Sequence, residues 1–281
     1  MVKLTELTKE KLIELYVDKK LSLGDIGRLY NTSRTAIYKK LNKFAIHQRS
    51  KSQARLESQK QGKLPQKYFH INEDFFKKWS PQTAYVLGLL ITDGCVSKTG
   101  VISLCVNDQE LLEKVKKALG SEHKITPSEH QKGLYCFYFA RKNMVEDLRK
   151  IGITPQKSLK VRFPQVPDRF LRDFIRGIFD GDGTVFFEKR TQKSLLLKSK
   201  FGAGSKSFVV DLELHLQKLG LPKRTIYTSK TKNGNYFYFV YGHEDSKKLF
   251  NILYKDASQD LFLGRKYQKF LQGFTSKERI N

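Results

Sequence analysis

The chain has 281 residues, with 53 Lys and Arg against 28 Asp and Glu, a formal net charge of +25 and a pI near 9.8. That excess is far beyond what solubility needs and points to a polyanionic partner. The basic residues are spread along the chain rather than gathered in one amphipathic helix, which argues against a membrane-surface anchor. The longest apolar run, Ala84 to Ile91, is too short to span a bilayer, and the N-terminus lacks an apolar signal core. The expectation is a soluble, non-secreted protein of the cytoplasm, nucleoid or organelle matrix. Cys95, Cys105 and Cys136 are odd in number and form no Cys-x-x-Cys, so they read as buried free thiols of a reducing compartment.

Residues 1–48 read as three short helices. Thr8 caps the first, whose inner face is Leu12, Leu15 and Tyr16. Ser22 caps the second, with Asp25 three residues on as a near capping box. Asn31 sits at the turn, where a positive φ is tolerated, and Thr32 or Ser33 caps the third helix. The segment SLGDIGRLYNTSRTAIYKKL resembles a helix-turn-helix of the resolvase type, although Gly27 stands where that family often has alanine. The resemblance implies that the third helix enters the major groove of DNA. Arg34, Thr35 and Tyr38 then face bases, and Lys39, Lys40 and Lys43 lie near phosphates. Residues 49–71 hold hardly any apolar side chains before the core resumes and read as a solvated basic linker.

The core domain begins near Asn72, and Pro81 opens an apolar helix. That helix carries VLGLLITDG (Val86 to Gly94), and the stretch recurs as IRGIFDGDG (Ile175 to Gly183). Gly88 matches Gly177, Asp93 matches Asp182, and Gly94 matches Gly183. A glycine inside a helix costs about 0.5–1 kcal/mol against alanine, so two of them ask for a compensation. Close packing of the two helices supplies one, because residues four apart (Gly88 with Thr92, Gly177 with Gly181) share a face. Both helix ends then come together with Asp93 and Asp182 side by side. Two adjacent carboxylates repel unless a cation lies between them, and a hard divalent ion such as Mg²⁺ fits. A single Asp-Gly after an apolar helix is an ordinary stop signal. Two in the same phase make an internal repeat.

Each copy is followed by the same order of patterns. After Gly94, CVSKTGVISLCV reads as two strands, DQELLEKVKKALG as a helix, HKITPSEHQKGLYCFYFAR as a hairpin and MVEDLRKIG as a helix. After Gly183 come strands to Gly204, a helix ending at Gly220, a hairpin with an Asn233–Gly234 turn, and two further helices.

The two stretches resemble the paired motifs of the LAGLIDADG homing endonucleases. GIFDGDG is a close match, whereas Ile91 stands where an acid is common, opposite Asp180. The resemblance implies an α+β fold of two pseudo-symmetric αββαββα halves with saddle-shaped antiparallel sheets, at 72–166 and 167–281. It implies a monomer that makes metal-dependent double-strand breaks in a long DNA target by phosphodiester hydrolysis, leaving short 3′ overhangs, as in intron homing. Asp93 and Asp182 would bind the catalytic ions, with the carbonyls of Thr92 and Gly181 beside them. The ions would be Mg²⁺, with Mn²⁺ as a substitute and Ca²⁺ as a non-cleaving analogue. Lys157 and Lys266 resemble the family's basic residues near the seam, and Gln192 or Asn107 could organise water. Lys98, Lys124, Lys132 and Arg141 in the first half, and Lys189, Arg190, Lys193, Lys198, Lys200, Lys230 and Lys232 in the second, are the DNA-contact candidates. Two alternatives stay open: a non-catalytic DNA-binding regulator, which the retention of both acids opposes, and a maturase that binds intron RNA.

Overall fold

The computed structural model describes residues 4–50, 53–54, 57–58, 61–63, 69–129, 131–154, 161–191, 194–231, 234–257 and 261–275. The chain forms two units, Met1–Tyr68 and Phe69–Asn281.

The first unit holds helices α1 (Lys9–Ile13, continued by a π-helical turn to Asp18), α2 (Leu23–Leu29) and α3 (Arg34–Lys43). The caps are Thr8, Ser22 and Ser33, and Ser22 with Asp25 makes a full capping box. Leu12, Tyr16, Ile26, Ile37 and Leu41 form its own small core. Gly27 has a specific reason: a Cβ there would stand 2.7 Å from the carbonyl oxygen of Thr32 in the turn. Asn31 takes the left-handed conformation, φ 44°, that the turn needs.

Where it is described, the expected basic linker makes polar contacts with the helices of the first unit. The Arg49 guanidinium lies 4.2 Å from the Tyr16 ring centroid, its backbone N–H donates to the Tyr16 hydroxyl, and it also donates to the Lys20 carbonyl. Gln61 donates to the same carbonyl, and Lys63 pairs with Asp25 at 2.5 Å. Polar composition signalled a tether. These contacts are polar, to the Lys20 carbonyl, the Tyr16 hydroxyl and the Asp25 carboxylate, which apolar periodicity cannot register.

The second unit is α+β. Helices α4 (Pro81–Thr92), α5 (Gln109–Ala118) and α6 (Lys142–Lys150) accompany strands β1 (Gly94–Val96), β2 (Ile102–Val106), β3 (Ile125–Pro127) and β4 (Tyr135–Phe139). The second half repeats this with α7 (Leu171–Asp182), β5 (Thr184–Thr191), β6 (Ser194–Ala203), α8 (Lys206–Lys218), β7 (Tyr227–Thr231), β8 (Gly234–Tyr241), α9 (His243–Tyr254) and α10 (Gly264–Thr275). Each half has one antiparallel four-stranded sheet, in the orders β1-β2-β4-β3 and β5-β6-β8-β7. One face of each sheet is apolar and packs on helices: Leu104 and Phe137 in the first, Phe201 and Phe239 in the second, all within one core shared by both halves. The other face is open, as the alternation of a half-buried strand requires. Gly152 and Gly220 stop α6 and α8 at φ 93° and 92°, the left-handed C′ position.

The cysteine reading is also corrected. Cys105 and Cys136 are register partners on β2 and β4 and form a disulfide, and Cys95 is exposed. Their separation of 31 residues hides a pairing that only strand register reveals.

Candidate active site

The site is built by the crossing of α4 and α7. A Cβ on Gly88 would stand 2.9 Å from the Cα of Gly177, and one on Gly177 would stand 3.0 Å from the Cα of Gly88. The two backbones therefore touch where neither residue has a side chain. One turn further, a Cβ on Gly181 would stand 2.7 Å from the Asp93 Oδ2 and from the Thr92 Cβ. The end of α7 thus rests against Asp93, the C-cap of α4, and Asp182 is the next residue on. Asp93 is half-buried and Asp182 exposed.

Beneath this seam lies a buried ionic cluster. The Asp180 carboxylate, 2% exposed, accepts from the Tyr254 hydroxyl at 2.7 Å, the Tyr85 hydroxyl at 2.8 Å and the Leu263 backbone N–H at 2.8 Å. Burial raises its pKa, opposed by the Lys266 ammonium and these three donors. Lys266, on α10, is 5% exposed and donates to the carbonyls of Phe179, Asp180 and Gly181 at 2.6, 2.7 and 3.1 Å. It caps the last turn of α7, whose carbonyls have no helical partner. Burial pushes its ammonium down to about 8; Asp180 opposes that most, and Asp93 and Asp182 also lie within its electrostatic reach. Arg176 is buried too, and donates to the carbonyls of Leu253 and Leu261 and to Asp173. It ties the loop before α10 to α7, which fixes where Lys266 enters.

Two carboxylates at converging helix ends suit a hard cation with oxygen ligands. Among the described residues no three or more His, Cys, Asp or Glu side chains gather into a metal-holding group. A protein-only cage is thus not built. The donor set fits an ion that keeps water and takes oxygens from a phosphate as well, which is the habit of Mg²⁺. Of the two carbonyls expected beside it, that of Gly181 already receives Lys266. Thr92 turns its hydroxyl back to the Leu89 carbonyl at 3.0 Å.

The remaining predicted residues separate by position. Arg34, Thr35, Tyr38, Lys39 and Lys43 are exposed on α3, whereas Lys40 donates to the carbonyl of Leu4 and is held inward. Lys198 and Lys200 lie on the open face of the second sheet, since Ser199 and Phe201, the residues that follow them along the strand, point to the core. Lys198 pairs with Glu188 at 2.5 Å, and Lys200 lies 5.8 and 5.6 Å from the Tyr236 and Tyr238 rings. Lys98, Lys124, Lys132 and Asn107 are exposed at the ends of the first sheet's strands. Three positions are placed differently. Lys189 shares the strand face of Val185 and Phe187, and Lys230 pairs with Asn235 on the side of Phe237 and Phe239, so alternation puts both away from the open face. Arg141 donates to the Phe69 carbonyl at 2.6 Å and pairs with Glu73 at 3.0 Å, a clamp on the start of the unit. Lys157, Lys193, Lys232, Gln192 and the side chain of Arg190 lie outside the described residues.

The sequence reading missed Tyr227, Tyr236 and Tyr238, which line the open face of the second sheet in a row. Period-two alternation over YTSKT and GNYFYFV carried that signal. It also missed the roles of Arg176, Tyr85 and Tyr254, for which no local pattern exists.

A family model described as a LAGLIDADG-like domain matches residues 80–158 and 169–273. A probable translation initiation factor IF-2 of Methanocaldococcus jannaschii is 23% identical over 223 residues, 73% of this chain and 18% of that protein. A replication factor C small subunit of the same organism is 28% identical over 191 residues, 66% of this chain and 10% of that protein. The chain therefore spans less than a fifth of the length of either, and the likeness is to a segment within each. Among solved structures, the meganuclease I-SmaMI bound to uncleaveable DNA overlays with a TM-score of 0.48 at 13% identity, covering 70% of this chain and 89% of that one. I-DmoI in complex with DNA and Ca overlays at 0.41 and 16% identity, covering 68% and 94%.

Proposed function

The chain belongs to the LAGLIDADG-like domain family, and on that footing we propose that it is a site-specific endonuclease that hydrolyses both strands of a long DNA target in a divalent-metal-dependent reaction. The observation that carries this is the seam of α4 and α7, where Gly88 and Gly177 let the helices touch and the Asp93 and Asp182 ends converge. Asp93 and Asp182 would hold the ions, one carboxylate from each half, with Mg²⁺ as the physiological choice. When bound, a divalent cation supplies Lewis acidity at the scissile phosphate.

The protein's own residues do the rest. The open sheet faces and the charge excess hold the duplex, with Lys198 and Lys200 supplying cations in the second half. Lys266, fixed on three carbonyls beside both acids, adds fixed positive potential where charge develops on phosphate oxygens. Water oxygen replaces the leaving deoxyribose oxygen at phosphorus, and that oxygen takes up a proton. Each carboxylate serves one strand, so one chain suffices for a double-strand break and the target need not be a palindrome. The exposed face of α3, with Arg34, Thr35 and Tyr38, reads a major groove and lengthens the target.

The test is cleavage of a randomised double-stranded DNA library in Mg²⁺, with Ca²⁺ beside it. Recovery of one long cut sequence in Mg²⁺ alone supports the reading. Tight DNA binding with no cutting in Mg²⁺ or Mn²⁺ overturns it in favour of a regulator.

A further inference from the structure

The two halves present different chemistry beside their acids, and strand register shows where. In the first half Cys95 pairs with Ser103 and Ser103 with Tyr138; in the second Thr184 pairs with Lys200 and Lys200 with Val240. Counting from these rows, Cys105 matches Gly202, Cys136 matches Tyr238, Leu134 matches Tyr236, and Asp93 matches Asp182. The place that the Cys105–Cys136 disulfide fills in the first sheet is open at Gly202 in the second. The Tyr236 ring occupies it: a Cβ on Gly202 would stand 2.5 Å from the Tyr236 Cζ and 2.8 Å from its Cε1. The ring is steadied by Tyr238, 6.0 Å away and stacked, and by the Lys200 ammonium.

Gly202 lies two residues past Lys200 on β6, and Asp182 two residues before its partner Thr184 on β5. A phenol lying across Gly202 is thereby directed from β8 over β6 to the start of β5, where Asp182 stands.

We propose that Tyr236 is a positioning residue of the second centre alone, its phenol orienting the Asp182 carboxylate, while the first centre has Leu134 and a disulfide in the matching places. The two strands are then cut by chemically unlike centres. This rests on the proposed function and deepens it.

The experiment uses the full chain and the target recovered from the library, with each strand labelled separately. Tyr236→Phe keeps the ring and removes the hydroxyl. The expected result is one strand cut about tenfold slower, the usual order of effect for a group that orients a metal-site ligand. The other strand keeps its rate, nicked circles accumulate, and DNA affinity and Tm are unchanged. Gly202→Ala, whose methyl must displace the phenol, gives the same one-strand defect, and Leu134→Ala gives none. Equal slowing of both strands, or of neither, overturns the proposal. If the wild type cuts nothing, the proposed function fails by itself, and Tb³⁺ bound to the free protein then reads the placement. Tyrosine-sensitised emission lost in Tyr236→Phe as in Asp182→Asn supports it. Emission retained in Tyr236→Phe, or absent in the wild type, overturns it.

Discussion

Tyr85 and Asp180 come from opposite halves of the chain and are joined by a buried hydrogen bond of 2.8 Å. The matching residue to Asp180 in the first half is Ile91, 6% exposed in the same core. So the pseudo-symmetric pair is one carboxylate and one apolar side chain, and the carboxylate draws its donors from both halves, Tyr85 from the first and Tyr254 and Leu263 from the second. Asp180→Ala strands the Tyr85 and Tyr254 hydroxyls and leaves Lys266 without its main counter-charge. Its expected cost is about 3–5 kcal/mol, the range for breaking a buried pair. Urea denaturation measures this, and Tyr85→Phe, which removes one donor of three, falls well below it.

The helix crossing makes a second prediction. Gly88→Ala and Gly177→Ala each improve helix propensity yet place a methyl against facing backbone. Backbone cannot turn aside as a side chain can, so overpacking wins, at about 1–3 kcal/mol or more. Lower Tm together with lost cleavage is expected in both. Gly62→Ala, with no heavy atom within 4 Å of the Cβ position, is the comparison, its own strain limited to a positive φ.

Strand alternation sorts the lysines. Lys200→Ala lowers the slope of log affinity against log salt by about 1, the signature of one phosphate contact. Lys230→Ala, on the other strand face, leaves the slope unchanged. Arg141→Ala lowers Tm instead of affinity, because its guanidinium is engaged by Phe69 and Glu73. Filter binding across a salt series separates the three.

Acid stability of the first unit depends on Asp25. Lys63 chiefly, together with the Ser22 cap, holds its carboxyl well below the usual range. A depressed folded-state pKa gives stability that is present above the unfolded value, about 3.9, and lost as pH falls toward the folded one. Helix content of this unit is expected to fall from about pH 4 downward, on that same scale. Asp25→Asn flattens the acid limb in circular dichroism of the full chain.

The repeat made the second unit legible. Two helical glycines and two terminal acids in phase placed the seam, because spacing along a helix fixes which residues share a face. Period-two runs and Gly-terminated helices gave the strand and helix order. Lys266 was reached only through family resemblance, and its three carbonyl partners are about 85 residues away in sequence. The Cys105–Cys136 pairing was not legible because it depends on register across strands, which composition does not carry. The contacts of Arg49, Gln61 and Lys63 were not legible because they are polar, to a carbonyl, a hydroxyl and a carboxylate, with no apolar period to mark them.

The most direct test is to compare wild type with Asp93→Ala and Asp182→Ala on the recovered target in Mg²⁺, measuring cleavage and binding of the same DNA. Loss of double-strand cutting in each variant, with the wild-type Kd kept, is the predicted result. Cutting at the wild-type rate by either variant contradicts the assignment of the two acids as the reaction centre.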